Sequence, residues 1–320
     1  MPRRLSAATA AAGAVFLVVN GPPSRALDSR TPVFRTEIGV VVLRATVTNA
    51  QGERVTDLES SAFAVYENGK SQVVTAFSRE DAPVSLGIAL DHSRSMTRAR
   101  AEVQEAALAL VGASNPRDEV FVLNFADKPS LDVPFTKDRR ALEEGIGGAP
   151  CIGGTALRDA LSAGQAYLTE HAAHERKALL LVSDGNDNAS AASRGEVREQ
   201  ARRSAVVIYV IGLLDYENAG KAGRGREELD DLAGETGGLA YYPRSPEELL
   251  RAALDAARQI RSQYTIAYSP ANQALDGSYR RIRVVAKGAG RLSVHTRTGY
   301  RAVGPEKQSP ALHGSEETKR

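Results

Sequence analysis

VSLGIALDHSRSM, residues 84–96, is the stretch whose reading decides the fold. From Val84 to Leu90 the run is apolar throughout apart from the small Ser85 and Gly87. That is the pattern of a strand covered on both faces of a sheet. The run ends in an acid, Asp91, and a short polar loop follows. Beyond it, Val103, Ala106, Ala107 and Leu110 fall at helical spacing and predict a helix over 98–111.

The strand-then-helix grammar repeats downstream. Val120–Phe125 predicts a strand, Thr155–Leu168 a helix and Ala178–Val182 a second buried strand. Glu196–Arg203 predicts a helix, Ala205–Leu213 a strand, Glu227–Ala233 a helix and Leu239–Tyr242 a short strand. The last helix opens at Ser245-Pro246-Glu247-Glu248, which has the residues of a capping box. Alternation of this kind predicts an α/β class: a doubly wound, mostly parallel sheet with helices on both faces.

Outside that centre the pattern is β. Val40, Val42, Ala45 and Val47 precede the turn Asn49-Ala50-Gln51-Gly52. Ala62–Glu67 and Ser71–Phe77 flank Asn68-Gly69, a strong hairpin signal. After Arg261, strands are predicted at Tyr264–Tyr268, Tyr279–Ala286 and Leu292–Arg297. Each flank is too short to be comfortable as an independent fold. The expectation is one β-sandwich built from both, with the α/β domain inserted into it.

The 320 residues balance 41 basic against 39 acidic side chains, a formal net charge of +2, so nothing calls for nucleic acid or an anionic membrane as partner. Without tryptophan, a base-stacking surface is also disfavoured. Arg3, Arg4 and the apolar run Ala7–Val19 read as an export signal, with Ser24-Arg25-Ala26 as a cleavage pattern. The run is shorter than the ~20 residues of a transmembrane helix, and no span is expected in the mature chain. Localisation is expected to be periplasmic, extracellular or at the cell surface. Cys151 is the only cysteine, which excludes a disulfide framework. The boundaries are drawn at 1–26 for the signal, 27–36 for a linker and 37–81 for an N-terminal β module. The α/β domain takes 82–262, a C-terminal β segment 263–302 and a disordered tail 303–320.

Asp91-x-Ser93-x-Ser95 places a carboxylate and two hydroxyls on one tight loop at the carboxyl end of a strand, where open α/β sheets bind ligands. These are hard oxygen donors suited to Mg²⁺, with Mn²⁺ or Ca²⁺ as alternatives. The motif alone is not specific. Two more features join it: Thr155 behind Gly153-Gly154, and Asp184 behind the apolar strand Leu179–Val182. Both stand at strand-to-helix transitions, so five oxygen-bearing side chains from three loops are expected at one edge.

In order and placement, Asp91, Ser93, Ser95, Thr155 and Asp184 resemble the metal-ion-dependent adhesion site of von Willebrand factor type A (VWA) domains. Leu229–Gly238 is similar to the late segment of such domains, and the β flanks resemble those of a bacterial VWFA-related family. The resemblance implies one divalent cation with Ser93 and Ser95 as direct ligands. Thr155 would ligate directly or through water, and Asp91 and Asp184 largely through water. It further implies an Asp or Glu of a partner protein completing the coordination, and no catalysis. Oligomeric state stays open.

Two other readings use the same residues. A Mg²⁺-dependent phosphatase with Asp91 as nucleophile needs a second carboxylate two residues on, where Ser93 stands. A structural VWA module with a vestigial site would use the same polar residues as caps and turns. Weaker signals are set aside: Gly69-Lys70-Ser71 lacks the P-loop glycine at 64, and Asp184–Asn188 lacks the calcium-loop glycine and glutamate. His171 and His174 lack the zinc-protease glutamate. Arg280, Arg281 and Arg283 are expected on a solvated face, Cys151 as a semi-buried thiol, and His92 and Arg94 pointing outward.

Overall fold

The computed structural model describes residues 39–79, 81–148, 150–214 and 222–303. The expected export signal, its cleavage pattern and all but the first residue of the expected tail lie outside these residues. Among the described residues no helix is long and apolar enough to cross a membrane.

The N-terminal flank supplies β1 (Val41–Thr48), β2 (Phe63–Glu67), β3 (Lys70–Gln72) and β4 (Val74–Ser78). The centre follows: β5 (Val84–Asp91), α1 (Arg100–Ala113), β6 (Glu119–Phe125), β7 (Pro129–Thr136), α2 (Arg139–Gly148) and α3 (Leu157–His171). It continues with β8 (Arg176–Ser183), α4 (Arg194–Arg203), β9 (Val207–Gly212), α5 (Ala222–Thr236), β10 (Ala240–Tyr241) and α6 (Pro246–Arg261). The C-terminal flank gives β11 (Tyr264–Tyr268), β12 (Tyr279–Ala286), β13 (Ser293–Thr296) and β14 (Gly299–Arg301).

The central sheet has six strands in the order β10-β9-β8-β5-β6-β7, parallel except for the hairpin partner β7. All eight residues of β5 are buried, as its apolar run requires. Side chains alternate along each strand. Ile88, Leu180 and Val182 therefore meet α1, α2 and α6 through Val103, Leu110, Ile146 and Leu249. Ala89, Leu179 and Leu181 face α3, α4 and α5 through Leu157, Leu161, Val197 and Leu232. From β5 the chain builds outward through β6 and β7, then returns to β8 on the other side and builds outward again. The order thus reverses between β5 and β8, and a crevice forms at the carboxyl ends of strands at such a switch point.

Both flanks enter both outer sheets. One has the order β13-β1-β11-β4, the other β14-β12-β2-β3. β1 pairs antiparallel with β11 and β13, and β2 with β12. Leu43, Val47, Phe63, Val65, Tyr264, Ile266, Tyr268 and Val284 form one core between them, with the rings of Phe63, Phe77 and Tyr264 packed together. The segment expected as a single strand, Ser71–Phe77, breaks at the exposed Val73, and its halves join different sheets.

Other expectations are corrected. Sequence reading missed β7, a mostly exposed edge strand with weak alternation, and α2. Arg280 is not on a solvated face: it is buried beside Glu67, while Arg281 and Arg283 point out, as period-two alternation dictates. Glu67 also accepts hydrogen bonds from the hydroxyls of Tyr268 and Tyr300, at 2.7 and 3.0 Å. At α6 the Ser245 hydroxyl accepts from Glu248 N, but the Glu248 carboxylate turns to Arg244 N instead of closing the box. The complete capping box is at α4, between Ser193 and Glu196.

The sandwich is joined to the amino-terminal edge of the parallel strands. Arg176, the first residue of β8, is buried and donates to the carbonyls of Arg261 and Gln263, where α6 passes into β11. The carboxyl-terminal edge, where Asp91 ends β5, is the opposite one.

Candidate metal site

Asp91 lies at the switch point, 3% exposed. Its Oδ1 accepts from Ser93 N at 2.8 Å, which folds the loop back onto the strand end. Its Oδ2 accepts from the Ser183 hydroxyl at 2.6 Å, and that hydroxyl in turn accepts from Gly185 N at 3.0 Å. The carboxylate therefore ties the first loop to the end of β8. Ser93 Oγ and Ser95 Oγ lie 3.1 Å apart. In an octahedral Mg²⁺ site with ligands at about 2.0–2.1 Å, neighbouring oxygens stand about 3 Å apart. The two hydroxyls already have that spacing.

The third loop is laced to the first by backbone. Ile152 N donates to His92 O at 2.8 Å, and Arg94 N to Gly153 O at 3.3 Å. Thr155, 2% exposed, is fixed from two sides. Its N donates to the Asn188 side chain at 2.9 Å, and its carbonyl accepts from Asn188 N and Ala189 N. Gly154 N donates to Asp127 Oδ1 at 2.7 Å. Gly153 has φ +78°, a backbone conformation that favours glycine, and a Cβ there would stand 2.4 Å from the carboxylate of the exposed Asp127. Asp184 sits half-buried after β8, with its Oδ1 accepting from Asn186 N at 3.2 Å. It is close enough for its charge to act on Asp91.

The electrostatics are one-sided. Burial pushes the Asp91 carboxyl up to about 6; the hydrogen bonds from Ser183 and Ser93 oppose this, and Asp184 adds to it. The charge acting on this buried acid is thus a second acid, and its hydrogen-bond partners are neutral. A buried carboxylate ordinarily has a counter-charge. The donor set, all oxygen and largely neutral, fits a hard divalent cation supplying it.

The structure therefore joins Asp91, Ser93 and Ser95 by hydrogen bonds, ties the Gly153 backbone to that loop and the Thr155 backbone to Asn188 and Ala189, and sets Asp184 within electrostatic reach of Asp91. His92 departs from expectation. It is 5% exposed, its N donating to Phe125 O just past the end of β5, and only Arg94 of the pair faces solvent. Cys151 is a half-buried free thiol whose pKa burial raises; Arg100 opposes that shift and Asp91 adds to it. Sequence reading missed Ser183, Asp127 and Asn188. Ser183 stands beside Asp184, and Asp127 lies in the turn just after β6, so position at the same sheet edge was the signal available.

Residues 86–186 match the family model described as von Willebrand factor type A domain. No curated protein matches the sequence. Among solved structures, the von Willebrand factor type A protein from Catenulispora acidiphila is similar at TM-score 0.50 and 15% identity, over 85% of this chain and 76% of that one. That likeness is one of fold. The vWF domain of the type V pili tip protein Mfa5 from Porphyromonas gingivalis gives 0.48 at 13% identity, over 56% of this chain and 95% of that one. The conserved hypothetical protein BatB from Bacteroides thetaiotaomicron gives 0.44 at 17%, over 55% and 98%.

Proposed function

We propose that the von Willebrand factor type A domain carried by this chain is a divalent-cation-dependent protein-binding module, exported from the cell, that catalyses nothing. One cation, Mg²⁺ with Mn²⁺ or Ca²⁺ as alternatives, is held by Asp91, Ser93, Ser95, Thr155 and Asp184. An Asp or Glu of a partner protein completes the coordination.

The observation that carries this reading is the buried Asp91 carboxylate, which meets a second acid and neutral donors where a cation belongs. Hydroxyl ligands leave most of the cation's charge uncancelled, so an incoming carboxylate is attracted. The site also stands at the edge of the sheet opposite the sandwich, where Arg94 and Ser95 are exposed. Ser93 in place of a second carboxylate argues against phosphoryl transfer. Export is supported by Arg3, Arg4 and the apolar run Ala7–Val19, and places the partner in the periplasm or on a cell surface.

The test is affinity capture from an envelope extract on the immobilised chain, in Mg²⁺ and in EDTA, with wild type and Asp91→Ala/Ser93→Ala. Partners retained in Mg²⁺ by wild type alone are expected. Equal retention in all conditions overturns the proposal.

A further inference from the structure

The metal loop and the glycine loop run side by side, joined by the bonds from Ile152 N to His92 O and from Arg94 N to Gly153 O. That pairing holds the backbones of Ile152 and Arg94 along the loop that carries Ser93 and Ser95. Ile152 is 60% exposed, a large aliphatic side chain in water with its backbone held by hydrogen bonding. Gly153 and Gly154, which follow it, carry no side chains to screen it from the space over the loop. Arg94 is exposed between the two serines.

The exposed Ile152 side chain offers apolar surface that a partner seated on the metal loop would cover. Of the other exposed large apolar residues among those described, Val73 and Leu275 belong to the flanks and Leu131 to the edge strand β7. Ile152 is the one whose backbone is bonded to the loop that carries Ser93 and Ser95.

We infer that Ile152 and Arg94 read the residues around the partner's metal-binding carboxylate: the fitting ligand is a protein segment carrying an Asp or Glu, a large apolar side chain next to it, and a second acid within reach of Arg94. This deepens the metal-dependent reading and rests on it. The cation recognises only that a carboxylate is present. Ile152 discriminates among carboxylates by apolar contact, and Arg94 by charge, the latter weakening as salt screens it. Specificity in this arrangement belongs to the two side chains flanking the metal.

The experiment is selection of a displayed library of random linear heptapeptides on the immobilised full chain, in Mg²⁺ and in EDTA. Wild type, Ile152→Ser, Ile152→Leu and Arg94→Gln are compared, with thermal melting as the check on fold. Wild type in Mg²⁺ is expected to enrich peptides with an acid next to a large apolar residue and a second acid nearby. Ile152→Ser is expected to keep the first acid, lose the apolar preference and bind the wild-type consensus peptide about ten-fold more weakly, a factor within reach of one buried aliphatic contact. Ile152→Leu restores the preference. Arg94→Gln drops the second acid and flattens the salt dependence. An apolar preference unchanged in Ile152→Ser, with Mg²⁺-dependent acid enrichment intact, overturns this inference and leaves the metal reading standing. Absence of any Mg²⁺-dependent enrichment of acidic peptides removes both.

Discussion

Asp91→Asn separates what the site costs the fold from what it does for binding. Burial holds the Asp91 carboxyl at about 6, up from 3.8. A rise of that size is a penalty of about 3 kcal/mol on the ionised form. The native state binds this proton more tightly than the unfolded chain. The group's favourable contribution is therefore full below about pH 3.8 and is lost as pH rises through about 6. In EDTA the wild-type chain should lose up to about 3 kcal/mol of stability from this residue across that window. Asparagine carries no charge, and its amide oxygen still accepts from Ser93 N, while the Ser183 hydroxyl can turn to accept. The variant should then lack the pH dependence and be about 2 kcal/mol more stable than wild type at pH 7 without divalent ions, the remainder being lost to the amide's poorer fit. Mg²⁺ reverses the order. At a hundred-fold excess over Kd it adds about 2.7 kcal/mol to wild type, and it should add nothing to the variant. Urea denaturation of the full chain from pH 4.5 to 8, in EDTA and in Mg²⁺, followed by far-UV circular dichroism, measures both effects. The reasoning fails if Asp91→Asn is clearly less stable than wild type in EDTA at pH 7, or gains as much from Mg²⁺.

Asp127→Ala removes the acceptor that holds Gly154 N and should weaken Mg²⁺ binding about ten-fold in calorimetry, as loss of a supporting residue does; Asp127→Asn, which keeps an acceptor, should bind as wild type does. Gly153→Ala forces a side chain into a positive-φ position against Asp127, and should cost about 1–3 kcal/mol in denaturation and weaken Mg²⁺ binding with it. Arg176→Met keeps the volume but strips two carbonyls at the α6–β11 passage of their donor; a loss of about 1–3 kcal/mol is expected with Mg²⁺ affinity unchanged, because the junction and the site are at opposite edges.

The α/β centre was legible because its strands are buried on both faces and so read as unbroken apolar runs; β5 and β8 are the clearest. The hairpin strand β7 was not, since exposed Leu131 and polar neighbours on a sheet edge give no such run. In the flanks, strand existence could be read, but not that Ser71–Phe77 splits between two sheets, because a change of sheet is decided by long-range pairing. Arg280 shows the same limit: its burial depends on Glu67, which is distant in sequence. At the site, the candidate oxygen donors were read from their place at strand ends. The residues that hold them were not, since an aspartate bonded to a distant glycine N–H, as Asp127 is, looks in sequence like any loop acid.

The central claim, that oxygen donors from three loops enclose one cation, is tested most directly by a crystal structure of the chain grown with Mn²⁺, using anomalous scattering to place the ion. One peak is expected within about 2.0–2.3 Å of both Ser93 Oγ and Ser95 Oγ, with Thr155 bound directly or through water and Asp91 and Asp184 in the surrounding hydrogen bonds. A site that stays empty at saturating Mn²⁺, or a peak elsewhere on the molecule, contradicts the account.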